Sequence, residues 1–322
     1  MIEVDSRPGY VLPFRREHDE GLTELTAYLS WLSRHAEVVV VDGSAQPWFD
    51  RHARAWGHLV EHCRPDPELR CANGKVAGVR TGLRRVRAAR VVIADDDVRY
   101  EPHELAAAVR LLEHSDLVVP QNYFRPLPWH CRWDTARSLL NRAFGHDYPG
   151  TLAVRREAFH RLGCYDGNVL FENLELIRTI RARGGTVRHA PALLVRRLPP
   201  DSRVFLSQRV RQAYDSFAQP ARLAAELAIL PVAAALARRG GAAGMALVSA
   251  VAAAEAGRRR AGGTAVFPAD CPLWVPLWLA ERGVCSWLAV ALRLLRGGVA
   301  YRGGRLEVAA HSDFRLAREQ NR

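Results

Sequence analysis

Three consecutive carboxylates, Asp95-Asp96-Asp97, follow directly on the apolar run Val91-Val92-Ile93-Ala94. Such a run reads as a buried strand, so the carboxylates stand at its carboxyl end. There they repel one another and are costly to desolvate, which predicts that something cationic is held among them. A hard divalent ion suits oxygen ligands. Mg2+ or Mn2+ keeps several waters, takes one or two protein carboxylates and completes its shell with substrate phosphate oxygens. The expected substrate is therefore a nucleotide diphosphate, while an ordinary acidic loop with a helix cap stays open as the plainer alternative.

A second group with possible chemistry is Asn73-Gly74-Lys75. Asn73 is a helix cap by type, and the amides and positive dipole end behind it favour anions, so Lys75 can reach a phosphate there or remain a solvated helix residue. Gln208 and Arg211, three apart, share one face of a helix, and an arginine at such a place can grip a diphosphate with two nitrogens. The polar face of an amphipathic helix would look the same.

The elements that must position these residues alternate between short apolar runs and helical patterns over the first 215 or so residues, the pattern of a sheet flanked by helices. Strands are expected at Tyr10 to Phe14, Glu37 to Val41, Val91 to Ala94 and Leu117 to Pro120. Helices are expected at Thr23 to Arg34, from the Asn73 cap to Val86, and from Glu101-Pro102 to Glu113. Ligands of such sheets bind beyond the carboxyl ends of the strands, where Asp42 and the aspartate triplet both fall, so a shared crevice is predicted.

With 322 residues and 48% hydrophobic content the chain can bury a large core in one or two domains. A net charge of +12 and a pI near 10.1 suggest an anionic partner. Arginine is spread along the whole length without an aromatic-interleaved basic block, which argues against nucleic acid. Of 46 basic residues only Lys75 is lysine. The six cysteines lack metal-ligand spacing and read as reduced thiols. Met1 to Tyr10 has no apolar signal core, so export by that route is not expected.

Taken in order, Val11-Leu12-Pro13-Phe14 with Glu17, Val39-Val40-Val41-Asp42-Gly43-Ser44, Asn73-Gly74-Lys75 and Asp95-Asp96-Asp97 resemble the GT-A fold glycosyltransferases of family 2. The resemblance continues through Arg155-Arg156-Glu157-Ala158-Phe159, Gly163-Cys164-Tyr165-Asp166, Glu172-Asn173-Leu174-Glu175-Leu176 and Gln208-Arg209-Val210-Arg211, over roughly residues 8 to 218. It implies an α/β fold with a mixed sheet flanked by helices, of the kind that binds nucleotide-diphospho-sugars. It also implies a DxD pair in which Asp95 meets the ribose or nucleotide and Asp97 ligates the metal. Pro13, Glu17, Asp42, Lys75, Asp95, Gln208 and Arg211 are then donor-binding positions, with Asp42 near the base, and Val41 departs from the commoner paired aspartates. The family's general base falls at position 173, which is asparagine here and cannot take a proton. Glu172 is the first candidate in its place, with Glu175 and Asp166 behind it, and a helix-end charge is the other reading of Glu172. Gln212 stands where the family has tryptophan, and Tyr214 is placed to supply some of that aromatic packing.

Beyond Pro220 the composition turns to alanine, leucine and arginine. Leu223 to Ala237, Ala242 to Ala254 and Leu273 to Leu295 are apolar but interrupted, and none is a clean spanning segment. Residues 1–218 therefore read as the glycosyltransferase domain and 219–322 as a helical membrane-associating region with a tail. The helices are expected in the interface or as a shallow hairpin, with Trp274, Trp278 and Trp287 at headgroup depth; a buried helical subdomain stays open. Full spanning by the last segment is tolerable only if Glu281 and Arg282 are paired or face the bundle. Tyr301-Arg302-Gly303-Gly304-Arg305-Leu306 resembles the tail that follows such helices in membrane-bound family members.

These readings converge on an inverting hexosyltransferase using Mn2+ or Mg2+. It moves a sugar from a nucleotide-sugar donor, expected to be a uridine diphosphate sugar, to a hydroxyl of a lipid or lipid-linked acceptor at the cytoplasmic face of the cell membrane. Two alternatives remain: a catalytically inactive relative that binds nucleotide or scaffolds a complex, and a nucleotidyltransferase, which the absence of glycine in Pro13-Phe14-Arg15-Arg16 disfavours.

Overall fold

The computed structural model describes residues 7–163, 165–301 and 304–320. Met1 to Ser6 of the amino-terminal stretch, Cys164 of the Gly163–Asp166 motif and Arg302-Gly303 of the closing segment lie outside the described residues.

Eight strands form one sheet: β1 (Gly9–Phe14), β2 (Glu37–Asp42), β3 (Glu61–Cys63), β4 (Arg90–Ala94), β5 (Val98–Arg99), β6 (Leu117–Phe124), β7 (Thr151–Arg155) and β8 (Val187–Arg197). Their order is β3-β2-β1-β4-β7-β6-β8-β5. The first four in that order are parallel, and β7 then enters antiparallel between β4 and β6. The helices of this part are α1 (Leu22–Leu32), α2 (Trp48–Trp56), α3 (Gly74–Arg85), α4 (Pro102–Leu111), α5 (Trp129–Phe144), α6 (Arg156–Arg161), α7 (Glu172–Ala182), α8 (Ser202–Ser207) and α9 (Arg209–Tyr214).

The central strands read as unbroken apolar runs because both faces are covered. Alternate residues of β1 divide the core in two. Tyr10, Leu12 and Phe14 pack with Leu25, Leu29, Trp56 and Leu105 from α1, α2 and α4. Val11 packs on the other side with Val76, Val79 and Leu83 of α3 and with Ile177 and Ile180 of α7. The approach of α3 to β1 needs glycine: a Cβ on Gly82 would meet Val11 Cγ1 at 2.3 Å. That close seat aims the start of α3 at the carboxyl ends of β1, β2 and β4.

The α/β architecture agrees with the sequence reading; β2 runs one residue past the expected Val41 to Asp42, and the Asn73 cap forms, its side chain accepting from the Lys75 amide at 3.1 Å. Of the remaining helices, α10 (Pro220–Ala237), α11 (Ala242–Arg259) and α12 (Val275–Arg296), α11 and α12 pack on α5, α12 also packs on α9, and α10 packs on α12 and α11. α10 and the stretch Cys271–Arg296 are long and apolar enough to cross a membrane, and only 6% of the apolar window in α10 is buried. Glu281 and Arg282 turn inward. Glu281 pairs with Arg209 at 2.7 Å, and Arg282 is buried. The tryptophan expectation needs correction: Trp278 is buried among Ala136, Leu139 and Phe267, and Trp287 is half-exposed. The helix face that carries Trp278 is the one that packs on α5, which takes it out of reach of headgroups.

After α12 the chain returns to the α/β body through β9 (Val299–Tyr301), β10 (Gly304–Leu306) and α13 (Asp313–Gln320). Leu170 and Phe171 donate to Val308 and Ala309, and His311 binds Glu175, so this stretch is packed beside α7.

Candidate active site

The turn after β4 is set by the sheet. Asp95 N donates to Gly150 O at 2.9 Å beside the β4–β7 ladder, and Val98 N donates back to Asp95 O at 3.1 Å. β5 then pairs with the end of β8 in a register that sets Val98 opposite Arg197, and Leu198 N donates to Asp97 O at 2.7 Å. Arg197 is thereby carried onto the carboxylates, with Nε 2.8 Å from Asp97 Oδ2 and Nη2 3.6 Å from Asp95 Oδ2. Lys75 Nζ reaches Asp95 Oδ1 at 2.5 Å, and Arg16 Nη2 holds Asp96 Oδ2 at 2.6 Å.

The cationic company expected for the triplet is thus supplied in part by the chain itself. It is not complete at Asp97, whose Oδ1 is buried without a hydrogen-bond partner among the described residues. Burial, together with the charges of Asp95 and Asp96, outweighs Arg197 and pushes the Asp97 carboxyl up to about 6. A carboxylate short of positive charge fits a divalent cation. Among the described residues no group of three or more metal-capable side chains forms, so Asp95 and Asp97 could supply at most two protein ligands. That is the arrangement in which substrate phosphate and water complete the shell.

Lys75 also bridges to Glu172 Oε1 at 2.7 Å. Glu172 opens α7, and Asn73 Nδ2 touches its second oxygen at 3.4 Å, so the amino ends of α3 and α7 meet across this ion pair. Burial alone would lower the ammonium, but Asp95 and Glu172 hold Lys75 well above the usual lysine range.

Two cavities share the wall made by Asp95, Asp96, Asp97 and Arg197. One, of about 410 Å³, runs toward Pro13, Val41, Gly43 and Lys75. The other, of about 600 Å³, runs toward Glu172, Gln208, Arg211 and Asp215. A Cβ on Gly150 would stand 2.6 Å from Asp95 Oδ2, so the absence of a side chain keeps this wall open.

Of the residues expected from the sequence, Pro13, Lys75, Asp95, Asp97, Glu172, Gln208 and Arg211 line these cavities. Arg211 Nη1 donates to Gln208 Oε1 at 2.9 Å, and its guanidinium lies over Tyr301. Two are not brought in. Glu17 sits at the surface against Arg15 at 3.2 Å and lines neither cavity. Asp42 is fully buried: Ser44 N, His52 Nδ1 and His62 Nε2 saturate its carboxylate at 2.8, 2.7 and 3.1 Å, and only its neighbours Val41 and Gly43 face the cleft. The two histidines, one on α2 and one on β3, turn it into a core group.

The reserve candidates for a base are also placed elsewhere. Glu175 is buried against His311 at 2.8 Å, and Asp166 caps its own turn through Asn168 N at 2.9 Å. Tyr214 is buried and donates to Glu307 O, away from position 212. The sequence reading missed Arg197, Asp215 and the chain Arg137–Asp134–Arg209–Glu281 that ties the cleft to α12. Nothing in the local pattern marks any one arginine among so many; only the strand pairing does.

Residues 65–215 match the sequence profile of the family described as "Glycosyltransferase like family 2". No curated protein matches the chain significantly. Among solved structures, the mannosyltransferase PcManGT from Pyrobaculum calidifontis, in complex with GDP-Man and Mn2+, aligns with a TM-score of 0.54 at 22% identity, covering 90% of this chain and 87% of that one. A mycobacterial protein aligns at 20% identity with a TM-score of 0.43, over 65% of this chain and 73% of that one. GalNAc-T7 with UDP, GalNAc and Mn2+ aligns at 16% identity with a TM-score of 0.42, over 61% of this chain and 44% of that one. The profile spans the start of α3, the aspartate triplet, Glu172 and the Gln208–Arg211 element. Residues 65–215 belong to the glycosyltransferase-like family 2, and the chain has the GT-A fold.

Proposed function

We propose that the protein is a metal-dependent, inverting glycosyltransferase acting from a nucleotide-diphosphate sugar onto a hydroxyl of a lipid or lipid-linked acceptor at a membrane surface. The observation that carries this reading is the pair of cavities meeting at one acidic wall. A donor bound along Pro13, Val41 and Lys75 presents its diphosphate to Asp95 and Asp97, and the acceptor enters from the larger cavity.

Asp95 and Asp97 would hold a divalent cation, which would supply positive charge to the departing diphosphate. The amino end of α3, with Gly74 lining the smaller cavity, turns the positive end of its dipole toward the phosphates. Lys75 adds a fixed positive charge, and Glu172 holds that charge in place, a positioning role consistent with its ion pair. Gln208 and Arg211 stand on the far side of the wall, where they can close over the sugar and the acceptor.

The membrane side of the reading rests on the exposed apolar side chains of the last helices, among them Met245, Val248, Leu294 and Leu295. Arg238 and Arg239, both exposed, follow α10 and suit anionic headgroups. The five cysteines of the described residues are free, which fits the cytoplasmic face.

The donor we expect carries uridine. PcManGT, which has a similar fold, was solved with GDP-Man, so guanosine and uridine sugars both belong in the assay. The test is a panel of nucleotide sugars, with the protein in lipid, scored for Mn2+-dependent release of nucleoside diphosphate. Release with one donor, abolished in Asp97→Asn, is the expected result. No release with any donor would leave the inactive nucleotide-binding reading, which Asn173 favours: its amide donates to Pro149 O at 2.9 Å, a structural use of the position.

A further inference from the structure

The larger cavity contains one acid that no motif marks. Asp215 opens the short turn Asp215–Ala218 directly after α9 and lines the cavity on the acceptor side. The other acids lining it are engaged by cations: Asp95 and Glu172 by Lys75, Asp96 by Arg16, Asp97 by Arg197, and Asp134 by Arg137 and Arg209. Asp215 Oδ1 is buried and has no hydrogen-bond partner among the described residues. A displacement at the anomeric carbon needs a carboxylate free to accept a proton beside the acceptor. Asn173 has no such capacity, and Glu172 already holds Lys75.

We propose that Asp215 is the general base that takes the proton of the acceptor hydroxyl. The assignment rests on the glycosyl-transfer reading above and deepens it. As the acceptor oxygen forms its bond to the anomeric carbon, its proton passes to the Asp215 carboxylate. The bond from that carbon to the diphosphate oxygen breaks, and the electron pair leaves with the nucleoside diphosphate.

The charges around Asp215 suit the task. Burial raises its carboxyl, Arg211 of α9, Arg282 of α12 and Arg222 of α10 pull it down, and Glu172 of α7 pushes it up, for a net value of about 7. A base poised there is substantially ionised at neutral pH and still basic enough to accept a proton.

The experiment compares wild type, Asp215→Asn and Asp215→Glu as full chains in lipid, with the active donor and Mn2+, over a range of pH. We expect wild-type kcat/KM to rise with pH through a limb near 7, and Asp215→Asn to lose about 10²- to 10⁴-fold in kcat together with that limb. Donor affinity by calorimetry should stay within about twofold, because the residue lies on the acceptor side. An Asp215→Asn enzyme that keeps kcat within about threefold of wild type, with the same limb, overturns the assignment and leaves the transferase reading standing. A wild-type chain that transfers no sugar overturns both. Should Asp215→Asn fail to fold, the limb decides: its displacement in Asp215→Glu supports the base, and an unmoved limb rejects it.

Discussion

Lys75 Nζ lies 2.5 Å from Asp95 Oδ1, joining the first turn of α3 to the end of β4, and the same ammonium holds Glu172 on α7. One cation therefore serves two carboxylates that are both mostly buried. Lys75→Met keeps the apolar stem and removes only the charge, leaving Asp95 and Glu172 to repel each other. We expect a stability loss of about 2–4 kcal/mol by denaturant unfolding, below the range for fully buried pairs because the carboxylates are partly exposed. Donor affinity in Mn2+ should fall by about tenfold or more in calorimetry. Unchanged stability would show that the bridge is not populated in solution.

Gly150 offers a more local perturbation. A methyl group there meets the far end of the Asp95 side chain, which can rotate away, so the fold should survive while the carboxylate is displaced. Gly150→Ala is expected to cost within about 1 kcal/mol of stability yet weaken Mn2+-supported donor binding by about tenfold or more. Equal donor affinity in variant and wild type would mean that the position of Asp95 is not critical to the metal.

The tail should respond to pH. The hydrogen bond from His311 to Glu175 raises the His311 pKa above its ordinary value of 6.5, against the opposing effect of burial. A raised folded-state value means that the stabilisation is fully present below pH 6.5 and is lost as pH rises through the folded value. Wild type should therefore lose more stability than His311→Asn between about pH 6 and 8, read as the difference in Tm between the two proteins. Parallel curves would place His311 outside the titrating set.

Membrane attachment through the last helices can be separated from folding. Met245, Val248, Leu294 and Leu295 are all more than two-thirds exposed, so replacing them together with serine removes apolar surface without opening the core. Flotation with vesicles containing anionic lipid should drop several-fold, while each substitution changes stability by only about 0.5 kcal/mol. Undiminished flotation would direct attention to the arginine flanks instead.

By itself the sequence determined the local and periodic features. The apolar runs of β1, β2 and β4, the Asn73 cap, the proline-led start of α4 and the acidic triplet follow from backbone preferences and the pairing of neighbours along the chain. It also ordered the motifs that mark the family. Which charged groups face one another was decided by packing. Arg197 meets Asp97, 100 residues away in the chain, because β5 and β8 pair. Asp42 turns into the core because His52 and His62 arrive from α2 and β3, and Asp215 Oδ1 is buried with no hydrogen-bond partner among the described residues. Electrostatic partners are chosen by distance in space. In a chain with arginine at nearly every turn, only the tertiary fold fixes which distances are short.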